Sequence, residues 1–231
     1  MTLTTYEDLE QGTPEWLAAR CGIVTASVVG QLITPKTVKP ASNDTSRALV
    51  ATLVAERITG HVEPVFPNRD MERGTLDEPY ARDLYAERYA AAWDAPVTEI
   101  GFMVRDYAGF KLGYSPDGLV GEDGLIEIKS RQQKKHLTTI LADEVPLENM
   151  AQCQAGLLVS GREWIDYVSY CGGMPLYVKR VLPDARWREA ILEALSLFEE
   201  AAKPMLETYR AATANLPLTE RIDHYLEPEF S

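Results

Sequence analysis

The chain has 231 residues, 45% hydrophobic and 25% charged, which is material for one fully cored domain of ordinary globular composition, expected to span residues 1–231. No run approaches the ~20 apolar residues of a membrane-spanning helix, and Met1–Glu10 is acidic where a secretory leader is basic and then apolar. Cys21, Cys153 and Cys171 form no Cys-x-x-Cys pair, which disfavours a disulfide framework, a zinc finger or an iron–sulfur site and fits a reducing cytoplasm, and the net charge of −12 taken alone argues against a polyanion as partner.

In chain order, Pro14–Arg20 and Thr25–Leu32 read as short helices, the second opened by a Thr25 or Ser27 cap. Thr34–Asp44, with Pro35, Pro40, Ser42 and Asn43, reads as a loop. Thr45–Thr59 places Leu49, Leu53, Val54 and Ile58 on one helical face and stops at Gly60; Leu76–Tyr89 is a further helix after Gly74. The period then shortens. Val97–Arg105, Phe110–Tyr114 and Leu125–Ser130 are rich in β-branched and aromatic residues and read as a three-stranded meander. Helix returns at Leu147–Val159, closed by Gly161, and Trp164–Cys171 and Leu176–Leu182 form a hairpin. Asp184–Ala212 reads as a long helix with Ile191, Leu195, Phe198 and Met205 inward, interrupted or kinked near Pro204. This order predicts an α/β or α+β domain with a mixed central sheet flanked by helices.

The acidic surplus is uneven. Residues 61–104 and 184–231 carry most of it, whereas residues 105–135 hold six basic and five acidic side chains, with Lys129, Arg131, Lys134 and Lys135 as a local basic run. In that middle segment Pro116-Asp117 sits in a turn, nine residues intervene, and then comes Glu127-Ile128-Lys129 on a strand. Strand alternation puts Glu127 and Lys129 on one face and Ile126 and Ile128 on the other. Asp117 and Glu127 suit Mg²⁺, which takes one or two carboxylates plus waters and phosphate oxygens, with the Ile128 backbone carbonyl as a further ligand. Lys129 would orient or help deprotonate the attacking water. The plain alternative is a type I turn at Ser115-Pro116-Asp117-Gly118 beside the solvated face of an edge strand.

The spaced motif resembles the Pro-Asp, spacer, Asp/Glu-x-Lys signature of a nuclease superfamily. The segments Thr13-Pro14-Glu15-Trp16-Leu17, Arg20-Cys21-Gly22-Ile23-Val24-Thr25-Ala26-Ser27, Arg73-Gly74-Thr75-Leu76-Asp77-Glu78, Ser115-Pro116-Asp117-Gly118-Leu119, Glu127-Ile128-Lys129 and Met150-Ala151-Gln152-Cys153-Gln154 extend the likeness. In this order they resemble the lambda-exonuclease or YqaJ-like viral recombinase family, most strongly over residues 11–183, with 184–231 a C-terminal helical segment. The resemblance implies a restriction-endonuclease-like core and a Mg²⁺-dependent (Mn²⁺ as substitute) 5′-to-3′ double-strand DNA exonuclease that leaves 3′ single strands for phage-type recombination. It implies that Glu78, Asp117 and Glu127 form the acidic metal site, Glu78 through water, with Lys129 as the catalytic lysine and Gln154 reaching the same centre. It implies that Arg20, Thr25, Ser27 and Ser115 recognise the 5′-phosphate. It also implies a trimeric ring and a single-strand annealing protein as partner, with linear duplex DNA as substrate and no membrane.

Two alternatives stay open on the residues alone: an endonuclease of restriction or repair type with the same metal site, and an acidic DNA mimic. For Glu78 a capping box with Thr75 competes with the metal role, and for the Arg20–Ser27 segment an ordinary N-cap beside a surface arginine competes with an anion pocket. His61, His136 and His224 are expected on the surface or in loops, and Cys153 as a buried small hydrophobe. Trp16, Trp93, Trp164 and Trp187 are expected as core or partly exposed packing, Trp16 with the option of lining a DNA path.

Overall fold

The computed structural model describes residues 1–64 and 68–222; His224 and the side chain of Trp93 lie outside the described residues. The chain opens with strand β1 (Thr2–Tyr6), helix α1 (Pro14–Arg20), the short strand β2 (Val24–Thr25) and helix α2 (Ala26–Val29), which runs into a 3-10 turn at Gly30–Leu32. A small ribbon, β3 (Ile33–Thr34) with β4 (Lys39–Pro40), occupies part of the expected loop. Helices α3 (Asp44–Thr59) and α4 (Arg69–Arg88) follow, then β5 (Val97–Thr98), β6 (Phe102–Asp106), β7 (Lys111–Tyr114), β8 (Gly118–Val120) and β9 (Gly124–Ser130). The chain continues through α5 (Gln133–Ala142), α6 (Leu147–Ser160), β10 (Trp164–Tyr170), β11 (Tyr177–Val181) and α7 (Ala185–Thr213).

The strands form two mixed sheets, one ordered β1-β6-β7-β2 and the other β11-β10-β9-β8-β5. Within them β2 runs parallel to β7 and β9 parallel to β10, while the remaining pairs are antiparallel. The expected single meander is therefore corrected: Phe102–Asp106 and Lys111–Tyr114 pair with each other, but the bend at 115–117 carries the chain into the second sheet before Gly124–Ser130. The expected Val97–Arg105 strand also breaks at Gly101, whose N–H bonds to the carbonyls of Tyr6 and Glu7. A Cβ there would stand 1.9 Å from the Leu9 carbonyl oxygen, so only glycine lets these segments meet. Strand β1, with all five residues exposed, is an edge strand that has no apolar alternation to announce it.

Helix ends follow local chemistry. Asn43 caps α3 by accepting from Ser46 N at 2.9 Å, and Gly60 closes that helix in the left-handed region at φ 63°. The helix expected from Leu76 starts earlier, because Asn68 accepts from both Asp70 N and Met71 N at 3.0 Å. Glu78 thus lies in the helix interior, and the Thr75–Glu78 capping box is not formed; the Thr75 hydroxyl instead donates back to the Met71 carbonyl. Asp184 caps α7, which continues through Pro204 without interruption, with Ile191, Leu195 and Phe198 buried and Met205 40% exposed, in place of its expected inward position.

Strand β9 sits between β10 and β8, at the centre of its sheet and not at an edge. Its alternation divides the core: Leu125 packs with α6 and α7 residues such as Ala155 and Leu195, whereas Ile126 and Ile128 pack with Ala81 and Tyr85 of α4. Helix α6 also reaches the other sheet, because Gly156 leaves room for the Tyr114 ring, whose atoms a Cβ would meet at 2.8 Å. His136, expected at the surface, is fully buried: Ser169 Oγ lies 2.8 Å from Nδ1 and the Pro175 carbonyl 2.9 Å from Nε2, fastening α5 to the β10–β11 hairpin. Among the described residues no helix is long and apolar enough to cross a membrane.

Candidate active site

The end of α1, the start of α2, the interior of α4, the 115–117 bend, the far half of β9 and α6 converge on a cleft of about 550 Å³. Its wall includes Arg20, Thr25, Ser27, Glu78, Ser115, Asp117, Glu127, Ile128, Lys129 and Gln152. The sequence-predicted residues are thereby brought together, with Gln154 as the exception.

At the floor, Asp117 Oδ2 accepts from the Ile128 N–H at 2.6 Å, tying the bend to β9. Glu127, fully buried, accepts from Lys129 Nζ at 2.6 Å on one oxygen and from the Tyr114 hydroxyl at 3.2 Å on the other. A solvated edge-strand face is excluded by that burial. Glu78 comes from α4 and pairs with Arg82, which also donates to the Asp117 carbonyl at 2.6 Å and pairs with Glu99 at 2.7 Å. One arginine thus links the Glu78 helix to the Asp117 bend.

The electrostatics are those of crowded negative charge. Burial, then Glu127, holds the Asp117 carboxyl well above the usual carboxylate range. Burial also raises Glu78, with Glu127 adding to the shift and Arg82 opposing it. For Lys129, burial works against the charge, but Glu127 and Asp117 outweigh it and the ammonium is held more firmly than usual. Burial and then Glu127 push the Cys153 thiol up, as befits the expected buried small hydrophobe.

Among the described residues no three His, Cys, Asp or Glu side chains close a metal cage by themselves. Magnesium does not require one, because it keeps several waters and takes one or two carboxylates plus substrate oxygens. Two cations face Asp117, Glu127 and Glu78: Lys129, paired with Glu127, and Arg82, which pairs with Glu78 but is shared with Glu99, so the cluster retains a negative excess that a divalent cation would relieve. The donor set therefore fits a hard cation.

At the other end of the cleft, Trp16 Nε1 donates to Ser115 Oγ at 2.9 Å, and the Arg20 guanidinium lies 4.4 Å from the Trp16 ring centroid. Burial lowers Arg20, Glu56 acting in the opposite direction, and among the described residues no carboxylate is within ion-pair distance of it. Thr25 Oγ1 and Ser27 Oγ stand 3.0 Å apart. Thr25 occupies the N-cap position of α2 but makes no side-chain cap bond, so the expected cap is absent. Because α2 has only four residues, an anion here would depend on Arg20 and the hydroxyls more than on a helix dipole.

Gln154 is corrected. Its Nε2 donates to the Leu182 carbonyl at 2.8 Å and its Oε1 accepts from Asp184 N at 2.9 Å, so it clamps the entry to α7 on the far side of α6. Gln152, two residues earlier and hence on the opposite helix face, lines the cleft instead. Sequence reading also missed Tyr114 and Arg82. An apolar stripe through Ala151, Ala155 and Leu157–Leu158 was the available signal for orienting α6; nothing local marked Arg82.

The two-sheet core and the carboxylate–lysine cleft define a restriction-endonuclease-like nuclease, of the lambda-exonuclease type. The chain belongs to the YqaJ-like viral recombinase domain family, whose pattern it matches over residues 15–163. It is similar to the solved alkaline exonuclease of Laribacter hongkongensis, with 33% identity, 89% of this chain and 100% of that one covered, and a TM-score of 0.77. The same exonuclease in complex with dAMP gives 33% identity, the same coverage and a TM-score of 0.76. A phage-related exonuclease from Haemophilus somnus 129PT shares the fold at 12% identity, covering 81% of this chain and 96% of that one, with a TM-score of 0.60. No curated protein matches the chain.

Proposed function

We propose that this chain is a divalent-metal-dependent exonuclease, one domain over residues 1–231, that digests one strand of linear duplex DNA from its 5′-phosphate end and leaves a 3′ single strand for recombination. The observation that carries the reading is the cleft's two ends: an acidic group with a lysine at the floor, and, at the rim, Arg20, which has no carboxylate ion-pair partner among the described residues, beside three hydroxyls.

Asp117, Glu127 and the Ile128 carbonyl would hold Mg²⁺, or Mn²⁺ in its place, with Glu78 reaching it through water. The bound cation supplies Lewis-acid polarisation of the phosphate and a more acidic water. The chain's own groups do the rest. Lys129 Nζ, as an ammonium, donates to the scissile phosphate or the attacking water and offsets the charge that builds on phosphorus oxygens. Tyr114 fixes the second Glu127 oxygen, and Arg82 fixes Glu78 relative to the Asp117 bend. Arg20, Thr25, Ser27 and Ser115 hold the 5′-phosphate, so that each cleavage leaves a new 5′-phosphate for the same contacts. The overall charge of −12 is compatible with a DNA substrate if the acidic surface is turned outward from a ring of copies, and a ring-shaped trimer acting with a single-strand annealing protein in the cytoplasm completes the reading.

The test is digestion of linear duplex with 5′-phosphate or 5′-hydroxyl ends, labelled at either terminus, with Mg²⁺ or with EDTA. Mononucleotide release from 5′-phosphorylated ends in Mg²⁺ alone is expected. Cleavage of closed circular DNA, or loss of label from 3′ termini first, would overturn the polarity and favour an endonuclease.

A further inference from the structure

Trp16 stands between the two groups that flank the proposed phosphate pocket, and its chemistry fixes what each can offer. An indole N–H donates and never accepts. Its bond to Ser115 Oγ at 2.9 Å therefore occupies a lone pair of that hydroxyl and leaves the Ser115 proton to be directed elsewhere. Among the described residues the Ser115 hydroxyl has no protein acceptor for that proton. On its other side the Trp16 ring lies under the Arg20 guanidinium, whose central carbon is 4.4 Å from the ring centroid, so the Arg20 N–H groups directed away from the ring are its polar outlet. Half-buried Trp16 thus presents two donors, one neutral and one charged, to the same part of the cleft. A phosphate terminus offers acceptors only, whereas a hydroxyl terminus brings a proton of its own and a single oxygen.

We propose that Trp16 is a positioning residue that sets the donor polarity of this pocket, through Ser115 and Arg20, and thereby its discrimination between 5′-phosphate and 5′-hydroxyl DNA ends. The inference rests on the 5′-phosphate reading above.

The experiment compares kcat/KM on 5′-phosphate and 5′-hydroxyl duplexes for the wild type, Arg20→Ala, Trp16→Phe, Ser115→Ala and the Trp16→Phe/Ser115→Ala pair. Phenylalanine keeps a ring beneath Arg20 and removes only the N–H. Trp16→Phe should lower the phosphate-to-hydroxyl ratio by on the order of ten-fold, chiefly through KM, the loss expected when one charge-assisted donor is misdirected. On the Ser115→Ala background the same change should cost less than about two-fold, because its effector is already gone. A Trp16→Phe variant that keeps the full ratio while Arg20→Ala loses it, or costs that simply add in the pair, would overturn the role of Trp16 and leave the phosphate pocket standing. A wild type with no preference between the ends would instead overturn the pocket itself. Trp16→Tyr, also without an N–H at that place, takes over with the same outcomes if Trp16→Phe does not fold.

Discussion

Replacing Asp117 by Asn keeps the shape of the side chain and its acceptor for the Ile128 N–H at 2.6 Å, but deletes one of three crowded carboxylates. Hydrolysis should be lost, since on the proposed reading a metal ligand goes with the charge. Stability of the metal-free protein should rise. Burial and Glu127 make the ionised Asp117 costly in the folded state, and relieving a cost of this kind is typically worth about 0.5–2 kcal/mol. For a chain of 231 residues this is a rise in melting temperature of about 1–8 °C. The sign of the pH dependence follows from the raised carboxyl. The folded state holds the proton more tightly than the unfolded one, so the wild type carries no penalty below the unfolded value of about 3.9 and loses stability as pH climbs through the folded value. Asparagine does not titrate. Thermal melts in EDTA should therefore show the variant ahead at pH 8 and the gap narrowing towards pH 4.5. Added Mg²⁺ should raise the wild type by mass action and close the gap at pH 8. A variant no more stable than wild type at pH 8 in EDTA, or a gap that widens in acid, would refute the charge-excess argument.

Lys129→Met should be nearly inactive yet shift duplex DNA in a gel assay, because on the proposed reading its ammonium acts on developing charge more than on ground-state binding. Glu78→Gln should also lose most activity with a melting temperature within about 2 °C of wild type, since the residue lies inside α4 and caps nothing; a pronounced drop in stability with activity retained would reverse that assignment. Arg20→Ala should slow digestion of 5′-phosphorylated ends by about ten- to a hundred-fold and erase the preference over hydroxyl ends. Arg57→Ala removes a two-pronged pair with Glu199 (2.6 and 2.7 Å) and a bond to the Gly22 carbonyl (2.8 Å) that together pin α3, α7 and the segment after α1; a melting temperature lower by about 3–6 °C is expected by calorimetry.

The parts of this molecule that were legible in the sequence are those whose signal is local. The α3 stop at Gly60, the α6 stop at Gly161 and the same-face pairing of Glu127 with Lys129 each follow from nearby residues. What escaped depended on distant partners. The strand after Ala95 breaks because Gly101 meets Tyr6–Leu9 from the far end of the chain, and β6–β7 separate from β8–β9 because two sheets compete for them. Helix α4 begins early because Asn68 lies just outside the window where apolar periodicity starts. Gln152 and Gln154 differ by which helix face meets the cleft, and that depended on where α7 enters, through Leu182 and Asp184. His136 looked polar and superficial because its two partners, Ser169 and Pro175, lie more than thirty positions away.

The bend that transfers the chain between the sheets carries Ser115 and Asp117 on either side of Pro116, whose ring fixes the backbone between them. Two residues span no more than about 7 Å. On the proposed reading, the anchor for the strand end and a ligand at the cut bond are consequently marks on one short covalent gauge. The step between a held strand end and the cut bond is thereby bounded by a covalent link of known length, and the proline ring removes one of the torsions through which that step could vary.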